Sequence, residues 1–376
     1  MNDSLFNPKI VEQMPTKTLS DNVAKIAVIG VGGGGCNMVN HMIDEGIHKV
    51  DLIVTNTDLQ ALRASNAPEK IQIGAQLTKG LGAGMKPEIG KESALENYDD
   101  LKNALDGSDI VFIAVGLGGG TGTGAASIVA QAAKEVGALT VSVVTKPFKF
   151  EGKKRSGLAN IGFEELKKVS DSIIVIKNDK LKEIAKEDMS LKDSFKLVDN
   201  ILYQAVKGMT EVILKPGTND INTDFADIKT IMQHKGMALM GIGKAKGENA
   251  TQEALENAIK SPLLDEVSLS GAKGIMVHWT VSPKVTLFSI SNVMEHINES
   301  IDSNADIIFG NTTDEDLDAD EVKITIVATG FESSIEDEDK NEKQAQTPNG
   351  RILTPDDPNY YDTPPLMRGY SQKYTL

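Results

Sequence analysis

Between Gly116 and Gly124 the chain places six glycines in nine residues, Gly-Leu-Gly-Gly-Gly-Thr-Gly-Thr-Gly. Glycine loses more backbone freedom on folding than any other residue, so a run this dense belongs where backbone must come close to something or take positive φ. The run follows an apolar strand pattern, Ile110 to Val115, and opens a helical one, Ala125 to Val136. A strand, a glycine turn and a helix start in that order aim N–H groups at phosphate oxygens, and Thr121 and Thr123 add hydroxyl donors. A tight packing turn is the competing reading, and it leaves the number of glycines unexplained.

A second run, Gly30-Val31-Gly32-Gly33-Gly34-Gly35, repeats the arrangement after the strand pattern Lys25 to Ile29 and before a helical pattern through Met38, Met42 and Ile43. It fits the G-x-G-x-x-G fingerprint, and Asp58 stands 23 residues beyond Gly35, so an NAD-dependent Rossmann enzyme is the rival reading. Against it, Asp58 follows Thr57 beyond the end of the second strand pattern, and two phosphate loops on neighbouring strands suit a triphosphate. No G-x-x-x-x-G-K-[ST] sequence occurs, which excludes a P-loop NTPase.

Strand patterns recur at Leu52 to Thr55, Leu139 to Thr145 and Ile173 to Ile176 with helix-length segments between them, which implies a mostly parallel sheet covered on both faces, an α/β fold. Leu191, Phe195, Val198, Leu202, Ala205, Met209 and Val212 follow at three- and four-residue steps until Pro216 and Gly217, predicting one long amphipathic helix. It reads equally as a connection between two domains or as a packed helix of one larger domain. Beyond it, strand patterns at Met237 to Ile242, Gly274 to Val281 and Val322 to Ala328, with helical ones at Thr251 to Ile259 and Ile290 to Ile301, predict a smaller α/β domain.

With 376 residues and 40% hydrophobic side chains the chain can bury a large core. Residues 1–23 hold no apolar stretch of signal-peptide length, and nowhere do about 18 apolar residues run together, so neither export nor membrane insertion is expected. A net charge of −15 argues against nucleic acid and anionic bilayers as direct partners. The lone Cys36 suits a reducing compartment. After Gly330 the chain turns acidic and nearly free of apolar residues, a linker composition, and ends in a stretch with Tyr360, Tyr361, Leu366, Met367 and Tyr370 that is either a docking peptide or plain disorder.

Four segments carry a resemblance: GVGGGGCN at 30–37, GGGTGTG at 118–124, TKPFKFEGKKR at 145–155 and NTDFADI at 222–228. In kind and order they resemble the tubulin/FtsZ family, the bacterial division proteins above all, over residues 24 to 330. The resemblance implies a tubulin-like Rossmann-type GTPase domain with a parallel sheet, a central helix and a smaller C-terminal α/β domain. The expected segments are a flexible 1–23, a GTP-binding domain 24–189, a central helix 190–217, a GTPase-activating domain 218–330, an acidic linker 331–355 and a partner-binding peptide 356–376.

The resemblance also implies roles. Gly33, Gly34, Gly35, Cys36, Gly119, Gly120, Thr121, Gly122 and Thr123 surround the phosphates of GTP or GDP. Glu151 and Arg155 make ribose and phosphate-side contacts; without the resemblance, their spacing reads as a surface ion pair worth about 0.3 to 0.5 kcal/mol. Asn37, Asn178 and Asp199 contact the base, since guanine needs an oxygen facing its ring N–H and amino donors. Asn222, Asp224 and Asp227 act on the nucleotide of the neighbouring subunit in a head-to-tail filament, with Mg²⁺ held mainly through the phosphates. Their local alternative is a helix cap from Asp224, with Asp227 favoured in the first turn. The segment before Asn222 is longer than the family pattern implies. A free thiol at Cys36 is either oxidation-sensitive or, as a buried cysteine, inert. The family also implies a cytoplasmic protein at the mid-cell division site, tethered by a membrane-bound, actin-like division protein through the C-terminal peptide. A scaffold that binds GTP without hydrolysing it is the remaining alternative.

Overall fold

A computed structural model describes residues 24–183, 188–214, 221, 224–261, 264 and 269–331. Asn222, the segment 1–23 and the C-terminal residues 332–376, with the linker and peptide expected there, lie outside the described residues.

The chain runs β1 (Ile26–Val31), α1 (Gly32–Asp44), β2 (Asp51–Asn56), α2 (Leu59–Ala64), β3 (Glu69–Gln72), α3 (Ala75–Thr78), α4 (Pro87–Glu96), α5 (Tyr98–Leu105), β4 (Ile110–Gly116), α6 (Thr121–Glu135) and β5 (Leu139–Lys146). There follow α7 (Lys153–Val169), β6 (Ser172–Lys177), α8 (Leu191–Leu214), α9 (Phe225–Met232), β7 (Met237–Lys246), α10 (Ala250–Ile259), β8 (Gly274–Val281), α11 (Leu287–Glu299), β9 (Asp306–Thr313) and β10 (Glu321–Phe331). The strands form one sheet in the order β3-β2-β1-β4-β5-β6-β7-β10-β8-β9.

β1 lies between β2 and β4, parallel to both, and its six residues are all buried. Burial on both faces is why this strand and β4 read as unbroken apolar runs instead of alternating. Pairing remains parallel from β3 through to β7, β6 and β7 meeting at Ile173 with Met237 and Ile174 with Ala238. The far edge is mixed: β10 is antiparallel to β8, and β8 parallel to β9.

The long helix is present as α8, and it is core as well as connection. Val198, Leu202, Ala205, Met209 and Val212 belong to one apolar cluster that also holds Val28 and Phe112 near one end of the sheet and Met276 and Val327 near the other. The expected stripe fails at the start of the helix, where Leu191 and Phe195 are 60% and 40% exposed. β3 and β9 have no counterpart in the strand patterns. β3 has four residues, of which only Ile71 is buried, and β9 lies at an edge of the sheet with a burial pattern that does not alternate cleanly.

Candidate functional site

In a parallel sheet the helix N-termini gather at the C-terminal ends of the strands, and here β1 and β4, neighbours in register, both turn there through glycine. A Cβ on Gly34 would stand 3.1 Å from the Gly116 Cα, so the two turns pack through bare backbone. Gly32 has φ of +71°, a conformation that side chains disfavour. The helices that follow, α1 and α6, begin at Val31 and Gly120 with no side-chain cap and no acidic residue in the first turn. By contrast α2, α9 and α11 are capped by Asp58, Asp224 and Thr286. Two uncapped helix starts beside each other offer unspent N–H groups and two positive dipole ends to an anion.

They open onto a cleft of about 370 Å³. Of the expected residues, Gly33, Gly34, Asn37, Gly119, Gly120, Thr121, Gly122, Glu151, Arg155, Asn178 and Asp199 line it. Cβ atoms added to Gly33 or Gly119 would meet nothing within 4 Å, so these positions face open space. The Thr121 hydroxyl shares a hydrogen bond of 2.6 Å with buried Thr57, which ties the end of β2 to the start of α6.

Glu151 and Arg155 form an ion pair of 2.6 Å, not along one helix but across Gly152, whose φ of +101° separates a 3₁₀ turn from α7. The second Glu151 oxygen accepts from the Phe148 N–H at 2.9 Å, so the carboxylate is fixed at both oxygens, while the Arg155 Nε is buried with no partner. Opposite them, Asn178 at the end of β6 is 5% exposed, and its Oδ1 accepts no hydrogen bond. Burial pushes the Asp199 carboxyl up to about 6, with His41 opposing the shift. An orphaned amide oxygen, a desolvated carboxyl and Asn37 on the wall of one cleft are what a base with N–H donors would satisfy.

Three expected residues stand behind the wall instead. Gly35 lets α1 close onto the strands, since a Cβ there would press into the Ala114 carbonyl. Cys36 is buried, receives a weak hydrogen bond from the Asn56 amide at 3.7 Å, and its thiol is pushed up to about 11 by burial. Thr123 spends its hydroxyl on the Gly118 N–H at 2.9 Å, bracing the glycine turn. Gly116 and Leu117 of the glycine run also line the cleft, as do Met38, Thr145, Pro147, Phe195 and Val198, which were not given site roles from sequence. Thr145 and Pro147 sit inside a quoted motif, whereas Phe195 and Val198 carried only the signal of an apolar stripe.

Asp224 and Asp227 are not among the residues lining the cleft. Asp224 caps α9 by accepting from the Asp227 N–H at 2.8 Å, and the Ile221 N–H donates to the Asn311 side chain at 2.9 Å. Asp58, the acidic residue of the dinucleotide reading, caps α2 through the N–H groups of Gln60 and Ala61 and does not line the cleft.

A parallel sheet with two glycine turns at adjacent strand ends, a base-sized pocket closed by a long internal helix, and a second set of strands beyond that helix define a tubulin-type GTPase. Residues 25–186 match the GTPase domain of the Tubulin/FtsZ family, and residues 236–332 match the FtsZ family C-terminal domain. The chain belongs to the FtsZ family. A solved FtsZ dimer from M. jannaschii, in its empty form, is 46% identical with a TM-score of 0.75, covering 83% of this chain and 90% of that one. CetZ1 from Haloferax volcanii, solved as a GDP-bound monomer, is 21% identical with a TM-score of 0.71 over 86% of this chain and 100% of that one, a likeness of fold. CetZ2 from the same organism, solved as a GTPγS-bound protofilament, is 18% identical with a TM-score of 0.71 over the same shares. The family replaces the dinucleotide reading: this is a GTP- and GDP-binding, tubulin-like GTPase of a polymerising cytoskeletal kind.

Proposed function

We propose that this chain hydrolyses GTP in the contact between successive copies of itself, as a head-to-tail filament that builds the division ring. The observation that carries the reading is the division of chemistry within one chain. Among the described residues, the carboxylates lining the cleft are Glu151, held by Arg155 and the Phe148 N–H, and Asp199 on α8. Neither is free to orient water at a terminal phosphate. Asp224 and Asp227 are carboxylates at the start of α9 with their backbone already capped, available to enter the cleft of a neighbour. Asn222, beside them in sequence, is assigned the same role.

In this reading Gly33, Gly34, Gly119, Gly120, Thr121 and Gly122 cradle the phosphates, Glu151 and Arg155 hold the ribose and phosphate side, and Asn37, Asn178 and Asp199 read guanine. Gly35, Cys36 and Thr123 support the cradle from behind. Mg²⁺, when bound with the nucleotide, would supply charge neutralisation at the phosphates.

Apolar side chains exposed on and beside the loop that packs over Gly120, Leu77, Leu81 and Met85, support a partner at the mouth of the cleft. The relatives solved as an FtsZ dimer and a CetZ2 protofilament support a second copy as that partner. A heterologous contact of this kind does not close, which gives filaments. The working place is the cytoplasmic face of the membrane at mid-cell, through a membrane-tethering actin-like protein held by residues 356–376. Among the described residues no helix is long and apolar enough to cross a membrane.

The test is phosphate release from GTP with Mg²⁺ across protein concentrations, with light scattering in parallel. Specific activity that switches on where scattering rises supports the shared site. Activity proportional to protein overturns it, and assembly without phosphate release favours the non-hydrolysing scaffold.

A further inference from the structure

Between Tyr203 and Leu214, α8 faces the loop that joins α1 to β2 across a groove of about 350 Å³, which shares no lining residue with the nucleotide cleft. Ile47, the Tyr203 ring and Leu214 give it apolar walls, with His48 and Lys49 exposed at its edge. The walls are fixed to each other, since the Tyr203 hydroxyl donates to the Glu45 carbonyl at 3.5 Å.

The described chain enters the fold beside this groove. Ala27 of β1 pairs with Asp51 of β2, two residues beyond Lys49, and the Lys25 ammonium reaches the Asp51 carboxylate at 3.6 Å. The other end of the described chain lies further off. β10 passes the groove at Lys323, which holds Glu211 of its wall at 2.6 Å, and ends at Phe331, about 26 Å further along the strand.

Residues 1–23 lie outside the described residues, and part of their sequence has the pattern of a short amphipathic helix. Asn7 stands where an N-cap would, Pro8 at the first helical position, and Pro15 as the stop. On such a helix Ile10, Val11 and Met14 share one face, and Phe6 is set to pack on Val11 as a hydrophobic staple. So short a helix does not stand alone in water and needs a surface for its apolar face.

We propose that residues 6–14 dock in the groove between α8 and the α1–β2 loop of their own chain, with their apolar face on Ile47, Tyr203 and Leu214. The residues from Met14 to Ala24 reach up to about 33 Å, ample for a groove whose wall ends two residues before Asp51. A tether this short holds the segment at an effective concentration in the millimolar range, so the burial of a few apolar side chains is enough to fill the groove.

The experiment is cysteine cross-linking of the full chain with a short bismaleimide, without nucleotide and below the assembly threshold; the native Cys36 is buried. Ile10→Cys is paired either with His48→Cys in the groove or with Asp106→Cys outside it. Asp106 is also close to the chain's entry, because the Lys25 ammonium donates to its carbonyl at 3.4 Å. The docked segment should give cross-linked monomer at least about fivefold faster with His48→Cys than with Asp106→Cys, and Ile47→Asp should abolish the difference. Equal rates describe an undocked tether and overturn the proposal. Cross-linked dimer in place of monomer puts the segment of a second copy in the groove and overturns the assignment to its own chain. If circular dichroism finds the Ile47→Asp protein unfolded, hydrogen exchange decides with a change confined to the segment. Ile10→Asp should speed exchange of the amides of residues 45–50 at least about threefold, and unchanged exchange there overturns the proposal.

Discussion

A Cβ on Gly32 would stand 2.7 Å from the amide nitrogen of Gly122, so the two glycine turns touch where neither tolerates a side chain. Gly32→Ala adds both this clash and the strain of positive φ, and the two loops must separate to relieve it. The expected result is about 1 to 3 kcal/mol of lost stability in a denaturant titration. Nucleotide affinity should fall at least about tenfold, since the separated loops no longer converge on one phosphate group. Gly33→Ala, where a Cβ would meet nothing of the protein, should leave stability within about 0.5 kcal/mol while still weakening nucleotide.

Asp224 has two roles that substitution can divide. Asparagine caps a helix as well as aspartate does, so Asp224→Asn should keep the melting temperature while phosphate release falls by about a hundredfold or more. Asp224→Ala should lose the same activity and about 1 kcal/mol of stability besides. Nucleotide affinity of the unassembled protein should be unchanged in both, measured by equilibrium titration below the assembly threshold. Loss of affinity there would place Asp224 in its own chain's site.

How much of this was legible in the sequence follows from what each element depends on. β1, β4 and β8 were readable because strands buried on both faces spell continuous apolar runs, and Gly274 to Val281 falls at its observed bounds. β3 and β9 were not, because edge strands are held by backbone pairing that leaves little trace in side chains. The glycine turns announced the cleft by composition. Asn178 and Asp199 did not announce themselves, since each singly reads as a cap or a solvated polar residue, and only the packing of the 3₁₀ turn after β6 against α8 brings them to one wall. Phe195 was read as part of an apolar stripe, and it stands on the cleft wall with its ring edge to face against Phe148, centroids 5.6 Å apart. Cys36 and Thr123 were placed among the phosphate contacts because motifs carry neighbours along with ligands, and sequence does not tell which side of a turn a residue faces.

Cys36 offers a direct check on that last point. A thiol on the buried face of α1, with its ionisation pushed up to about 11, holds almost no thiolate at neutral pH. Iodoacetamide at pH 7.5 should leave the folded protein unlabelled over hours in the absence of nucleotide, and label it stoichiometrically in denaturant. Fast labelling that GTP suppresses would return the thiol to the cleft wall.

The Asp199 carboxyl gives ligand-free stability and GTP affinity opposite responses to acid. Its value in the folded chain is raised from 3.8 to about 6, so folding favours the protonated form. The stability it contributes is fully present below about pH 3.8 and is lost as pH rises through about 6. Guanine recognition needs the ionised form, so GTP affinity should hold above about pH 6 and fall by roughly tenfold per unit below it. The γ-phosphate titrates in the same range, and Asp199→Asn with XTP provides the correction, because asparagine can donate to the xanthine carbonyl that replaces the guanine amino group and keeps no ionisation of its own. Against that variant, wild-type protein without nucleotide should gain on the order of 1 to 3 kcal/mol of relative stability between pH 7 and pH 4.5, read from urea midpoints. A wild-type protein whose stability and GTP affinity fall together with acid, in parallel with Asp199→Asn, would mean that this carboxyl is already ionised and solvated in the empty cleft.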